Sequence, residues 1–196
     1  AQTLQEVQQI LNNFQECSLA KTATNTVFGV GNPNADLLMI GEAPGAEEDL
    51  KGEPFVGRSG QLLTKALFSA GIRRNNIFIT NSVFWRPPGN RNPTSYEVAL
   101  CKPFLQKIIS LIKPRIILIV GKVAATALLE EDIAIGKLRG KWLAKDWGYN
   151  KDIIENIKVR VIYHPAYLLR NPKQKKVFWF DLIEISNKIV ELELSV

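Results

Sequence analysis

Two kinds of segment alternate along the chain: stretches with apolar residues at helical spacing, and short unbroken apolar runs. Leu4, Val7, Leu11 and Phe14 mark one face of an N-terminal helix. The run Leu37 to Ile40 ends in Gly41 and reads as a buried strand. Ser59 is placed to cap a helix carrying Leu62, Leu63, Ala66, Leu67 and Ala70, and Gly71 stands where a left-handed residue would stop it. Ile77 to Thr80 reads as a second strand. Thr94, with Glu97 three residues on, forms a capping box for a helix to about Ile112; within it Pro103 lacks a backbone donor and should bend or divide the helix. Ile116 to Val120 is the third strand, Lys122 to Glu130 a short alanine-rich helix, and Val159 to Tyr163 the fourth strand. A last amphipathic helix is expected from about Lys173 to Leu192. Strands that are apolar throughout and separated by helices predict a parallel sheet covered on both faces. The expected fold is therefore α/β, a three-layer α/β/α sandwich around a central four-stranded parallel sheet. No linker, repeat or low-complexity tract interrupts it, so residues 1–196 read as one domain, with 1–16 as an N-terminal helix packing on it.

Composition narrows the class. With 46% hydrophobic and 22% charged residues, the 196-residue chain is ordinary globular material. Its longest aliphatic run, Ile116 to Val120, is far too short to cross a bilayer, so no membrane association is expected. The polar start AQTLQEVQQ has neither a basic n-region nor an apolar h-region, and no secretion signal is read there. Two cysteines, Cys17 and Cys101, are too few for a disulfide scaffold or a complete metal site, and point to a reducing, cytoplasmic home. The net charge of +6 is unevenly spread: residues 1–60 carry a net −5, residues 61–125 a net +9, and the remainder +2. Arg86, Arg91, Lys113, Arg115 and Lys122 in the basic stretch fit a phosphate-contacting face, with a merely soluble basic surface as the equal alternative.

In an open parallel sheet, ligands bind past the carboxyl ends of the strands. The residues there are Glu42, Asn81, Lys122 and His164, the last being the sole histidine of the chain. The loop after the first strand runs Gly41-Glu42-Ala43-Pro44-Gly45, then Glu47, Glu48 and Asp49, then Gly52-Glu53-Pro54-Phe55-Val56-Gly57. So many carboxylates repel one another unless something uses them; a solvated loop accounts for Glu47 and Glu53, and a calcium-type ligand spacing is missing. Phe55 is either core filler or a stacking platform for a base. Asn81 offers an acceptor and two donors in one plane, suited to a base edge or to its own turn. Gly29-Val30-Gly31 lacks the third glycine of a dinucleotide fingerprint, Gly57-Arg58-Ser59-Gly60 is not a nucleophile elbow, and no P-loop occurs.

Four segments, GEAPGAEEDLKGEPFVGRSGQLL at 41–63, ITN at 79–81, RPPGNRNPT at 86–94 and YHPAYLLRNP at 163–172, fall in order between about Cys17 and Asp181. Together they make the sequence resemble the uracil-DNA glycosylases of family 4. The resemblance implies an enzyme that flips uracil out of DNA and hydrolyses its N-glycosidic bond, leaving an abasic site and needing no diffusible cofactor. It matches Glu42 to the acid near the scissile bond, His164 to the donor at uracil O2, Phe55 to the stacking ring and Asn81 to the amide pairing with the base. Glu48 matches the group crowding the C5 edge, with Ala43 in the same uracil pocket. Leu168-Leu169-Arg170 matches the loop that enters the duplex, and Arg86, Arg91, Arg170 and Lys173 are the expected phosphate contacts. The expected partner is uracil-containing DNA, single- or double-stranded, bound by a monomer. Two rivals stand beside this reading: a silent relative that binds nucleic acid or a replication partner, and a nucleoside or nucleotide hydrolase.

The resemblance departs at one place. The family's four-iron four-sulfur cluster hangs on four cysteines, whose positions here are Phe14, Cys17, Trp85 and Cys101. Two thiolates do not make a four-cysteine site, so no cluster is expected, the two aromatics filling its volume. Cys17 and Cys101 should then lie near each other, close enough for a disulfide that a reducing compartment would keep open.

Overall fold

The structure, a computed structural model, describes residues 1–130 and 134–196. Helices α1 (Leu4–Asn12) and α2 (Ser18–Thr22) lead into β1 (Val30–Gly31), β2 (Leu37–Gly41), α3 (Ala46–Lys51), α4 (Arg58–Ser69) and β3 (Phe78–Asn81). Then come α5 (Ser95–Ile112), β4 (Ile116–Val120), α6 (Lys122–Leu129), α7 (Ile135–Leu138), β5 (Leu143–Tyr149), β6 (Asp152–Ile162), α8 (Pro165–Arg170) and α9 (Lys175–Glu191).

The sheet runs in the order β1-β3-β2-β4-β6-β5. Its centre, β3-β2-β4-β6, is parallel, and these are the four strands expected from the apolar runs. The sheet is nevertheless six-stranded, because β1 and β5 add antiparallel edges. Both escaped the pattern for physical reasons: β1 has two residues, and β5 (LAKDWGY) alternates half-buried with exposed side chains, as an edge strand should. Every residue of β2 and β4 is buried, and alternate residues serve opposite faces. Leu38, Ile40, Ile117 and Ile119 join Val7, Leu11, Leu105 and Ile108 in one core. Leu37, Met39, Ile116 and Leu118 join Leu63, Leu67, Leu182 and Ile185 in the other. That is the three-layer sandwich: α1, α5 and α6 on one side, α4, α8 and α9 on the other.

Local signals place several boundaries. The capping box forms as expected, Thr94 Oγ1 accepting from Glu97 N–H and the Glu97 carboxylate from Thr94 N–H at 2.7 Å. Pro103 does not divide α5, whose buried face, with Cys101, Leu105, Ile108 and Ile109, keeps one element on the sheet. Ser59 is not the cap of α4: the helix begins at Arg58, with Gly57 in extended conformation before it. Across the second layer, buried Asp181 of α9 accepts from Arg160 of β6 at 3.0 Å and from Arg139 at 2.7 Å, tying helix, strand and the segment after α7 together.

Candidate active site

Strand register brings the site together. Gly41 pairs with Asn81 across β2 and β3, and the chain stays zipped beyond the strands: Ser82 N–H donates to Gly41 O (2.8 Å), Val83 N–H to Glu42 O (3.1 Å) and the Ser82 hydroxyl to Glu42 O (2.7 Å). Glu42 and Asn81 therefore leave the sheet side by side. On the other side Val120 pairs with Ile162, and Gly121 N–H donates to Ile162 O at 2.9 Å, which sets Lys122 beside His164. A cleft of about 590 Å³ opens over these ends, lined by Glu42, Ala43, Glu48, Phe55, Asn81 and His164. Asn90, Arg91 and Asn92 of the proline-rich loop, Lys122 of α6 and Arg170 of α8 complete its walls. All four strand-end residues expected to matter thus face one cavity.

The acid and the histidine are tuned by burial. Burial holds the Glu42 carboxyl above its ordinary range. His164 caps α8, its Nδ1 accepting from Ala166 N–H at 3.2 Å, which assigns the ring proton to Nε2. Burial, with the nearby Arg170 charge, lowers its pKa to about 4. At neutral pH it is an uncharged ring with one N–H to donate. The Phe55 ring lies 6.1 Å from the His164 ring, tilted by 33°. Gly41 permits this arrangement, since a Cβ there would stand 2.4 Å from Asn81 Oδ1 and 2.6 Å from Phe55 Cζ. Among the described residues the Asn81 amide has no protein hydrogen-bond partner, so its donors and acceptor are left for whatever enters the cleft.

The acidic loop divides into two working carboxylates and two solvated ones. Asp49, buried, accepts from the backbone N–H of Thr24 (2.9 Å) and Asn25 (3.1 Å), a structural use that the sequence did not disclose. Glu48 accepts from Val56 N–H (3.0 Å) and Gly57 N–H (2.9 Å) through one oxygen. Glu47 and Glu53 are exposed.

Of the expected DNA contacts, Leu168 does not reach the surface in this structure: it is 1% exposed and packs in the core beneath α8. On so short a helix the periodicity does not say which residue faces inward; here Leu169 is half-buried and Arg170 exposed. Arg91 makes a bidentate pair with buried Glu97 (2.6 and 2.9 Å), so it staples the proline-rich loop to α5 while its outer side faces the cleft. That pairing holds the Glu97 carboxyl at about 2. Arg86 donates to Asn90 Oδ1 at 2.7 Å, and Lys173 is exposed beyond the cleft wall. Arg74, which the sequence reading passed over, donates to Pro54 O (2.6 Å) and Phe55 O (3.4 Å).

The four positions corresponding to the family's cluster ligands do converge. Cys17 and Cys101, both free and wholly buried, lie thiol against thiol, as expected of them. The Cys17 sulfur and burial push the Cys101 thiol up. Phe14 stacks on Trp85 at 6.2 Å and meets Phe104 edge-on at 5.1 Å, and Trp85 Nε1 donates to Thr26 Oγ1 at 3.1 Å. Two thiols and a packed ring cluster do not fit a group that needs four thiolates. Among the described residues no group of three His, Cys, Asp or Glu side chains is arranged to hold a metal ion.

Comparison with known proteins agrees with this geometry. The sequence model of the Uracil DNA glycosylase superfamily matches residues 28–183. The chain is similar to the type-4 uracil-DNA glycosylase of Archaeoglobus fulgidus, at 39% identity over 94% of this chain and 92% of that protein. Against the type-4 enzyme of Pyrobaculum aerophilum identity is 40%, over 91% of each chain, and against that of Thermotoga maritima 42%, over 79% and 77%. A matching family model across most of the chain, relatives aligned over nearly their full length, and a cleft at the parallel strand ends lead to one conclusion: the chain belongs to the uracil-DNA glycosylase superfamily.

Proposed function

We propose that this protein is a DNA-repair hydrolase that excises uracil from DNA, cleaving the N-glycosidic bond and leaving an abasic site. The observation that carries the reading is the meeting of Glu42, Phe55, Asn81 and His164 in one cleft. Breaking the C1′–N1 bond puts positive charge on the sugar and negative charge on the departing base, so the useful groups are an anion near the sugar and a donor at the base oxygen. Glu42, when ionised, supplies the anion and orients the attacking water. His164 supplies Nε2–H to O2 without carrying a charge of its own. Phe55 gives the extruded base a stacking face and Asn81 pairs with its polar edge, while Glu48 and Ala43 close the pocket.

Phosphate contacts fall to Arg86, Arg170 and Lys173, with the outer side of Arg91 as a further one. The wedge beside the extruded nucleotide is assigned to Leu169 and Arg170 in place of Leu168. The chain acts as a single domain and a monomer, on single-stranded or duplex DNA, in the cytoplasm. It works without the iron-sulfur cluster, the ring cluster of Phe14, Trp85 and Phe104 taking its place; one atom of iron or more per purified chain would refute this.

The deciding experiment incubates the protein with single-stranded and duplex oligonucleotides carrying one uracil and follows alkali-labile abasic sites. Release from either supports the reading. DNA binding without release overturns it in favour of a silent binding protein, and release from the free nucleoside alone would point to a nucleoside hydrolase.

A further inference from the structure

Phe55 has a backbone conformation that its residue type disfavours. Its φ is +54°, in the left-handed region, and it carries a bulky ring with no glycine-like freedom. Such a residue persists only where its surroundings over-determine it. Here they do so from two sides. The carbonyls of Pro54 and Phe55 accept from the two terminal nitrogens of Arg74, at 2.6 and 3.4 Å. The N–H groups that follow, on Val56 and Gly57, both donate to one oxygen of Glu48, at 3.0 and 2.9 Å. A third wall is Gly60 of α4, where a Cβ would lie 2.1 Å from Phe55 O, so the helix presses directly on the peptide.

We infer that Arg74 and Glu48 form a two-sided clamp on the Pro54–Gly57 backbone, and are positioning residues that hold the Phe55 ring as the stacking face of the cleft. The inference rests on the uracil-excision reading and deepens it. Arg74 lies in the turn between α4 and β3, remote in sequence from the loop it grips, and its own side chain does not line the cleft. Any effect it has on the base must therefore pass through Phe55. Glu48 joins the acidic loop to the same peptide, so both charges act on one aromatic ring. Arginine suits the task because its planar fork reaches two carbonyls at once, which a lysine ammonium does with less geometric control.

The test is a double-mutant cycle of Arg74→Ala and Phe55→Ala, read as single-turnover uracil release, with melting temperatures measured on every variant. Arg74→Ala should slow release by about tenfold in the wild-type background and by less than about twofold when Phe55→Ala is already present. Arg74→Lys should recover part of the loss. Equal slowing in both backgrounds, or none in the first, overturns the inference. If Arg74→Ala gives no cooperative melting, the same cycle is run with Arg74→Met, which keeps the stem and removes the donors, against the same criteria. A second arm does not depend on activity: amide hydrogen exchange at Val56 and Gly57 should accelerate about tenfold in Arg74→Ala or Arg74→Met relative to amides of β4. Unchanged exchange there refutes the clamp. A wild-type protein that releases no uracil refutes the functional reading and leaves the exchange arm to judge the clamp.

Discussion

His164 is expected to work as a neutral donor, and the pH dependence of the reaction tests this directly. Its Nδ1 is occupied by Ala166 N–H, and its pKa of about 4 means that at pH 7 roughly one ring in a thousand carries a second proton. The neutral ring is therefore the resident form at that pH. The Glu42 carboxyl, raised by burial, must by contrast lose its proton before it can oppose positive charge on the sugar. Single-turnover release measured from pH 4.5 to 9 should therefore fall with a one-proton limb on the acid side, centred above the ordinary glutamate value of about 4.3. Glu42→Gln should lower the rate and flatten that limb. His164→Ala should lower the rate at pH 7 by at least tenfold, and on the order of a hundredfold if the donor is as well placed as a typical oxyanion donor, about 2.7 kcal/mol of barrier. It should leave the position of the limb unchanged. A loss of rate on the alkaline side, centred near 6.5 and absent in His164→Ala, would show that the ring acts as a cation, and the electrostatic assignment would be wrong.

Asp181→Ala should destabilise the fold by about 3–5 kcal/mol in urea denaturation, because it leaves the buried Arg160 and the partly buried Arg139 without their shared carboxylate; a loss below about 1 kcal/mol would mean that water reaches the guanidinium groups. Glu97 titrates at about 2 when folded, below its unfolded value, so its stabilisation is complete above about pH 4.5 and disappears as pH falls towards 2. Arg91→Ala should accordingly move the acid-unfolding midpoint, followed by circular dichroism, to higher pH; an unmoved midpoint would separate Arg91 from that carboxylate. Leu168→Ala should cost about 2–5 kcal/mol of stability, whereas Leu169→Ala should weaken excision from duplex more than from single strands at unchanged melting temperature. The opposite pattern would return the wedge to Leu168.

How far the sequence carried depends on what kind of force sets each feature. The central strands were legible because burial on both faces demands unbroken aliphatic runs such as Ile116 to Val120. The edge strands were not, since β5 carries Lys145 and Asp146 and needs only one covered side. Glu42, Asn81, Lys122 and His164 were found through topology alone, because parallel strands deliver their following residues to one place. Residues whose partners come from distant loops stayed hidden. Nothing in the local sequence says that Asp49 accepts from Thr24 and Asn25, or that Arg74 reaches Pro54, because those pairings exist only once the layers close. The orientation of Leu168 stayed hidden for a related reason: in the six residues of α8 two leucines stand side by side, and only packing against the neighbouring layer, chiefly α4, decides which turns inward.

The rings of Phe14, Trp85 and Phe104 join the N-terminal segment to α5 by contacts made wholly within the chain. A junction built from coordinate bonds would tie folding, by mass action, to the supply of a dissolved ion and expose it to chelators and oxidants. Under the cluster-free reading proposed above, this one answers only to temperature and solvent. On that reading, growth on scarce iron or under peroxide would leave the attachment of α1 as firm as before, and the upkeep of the genome would at this point be uncoupled from the cell's metal economy.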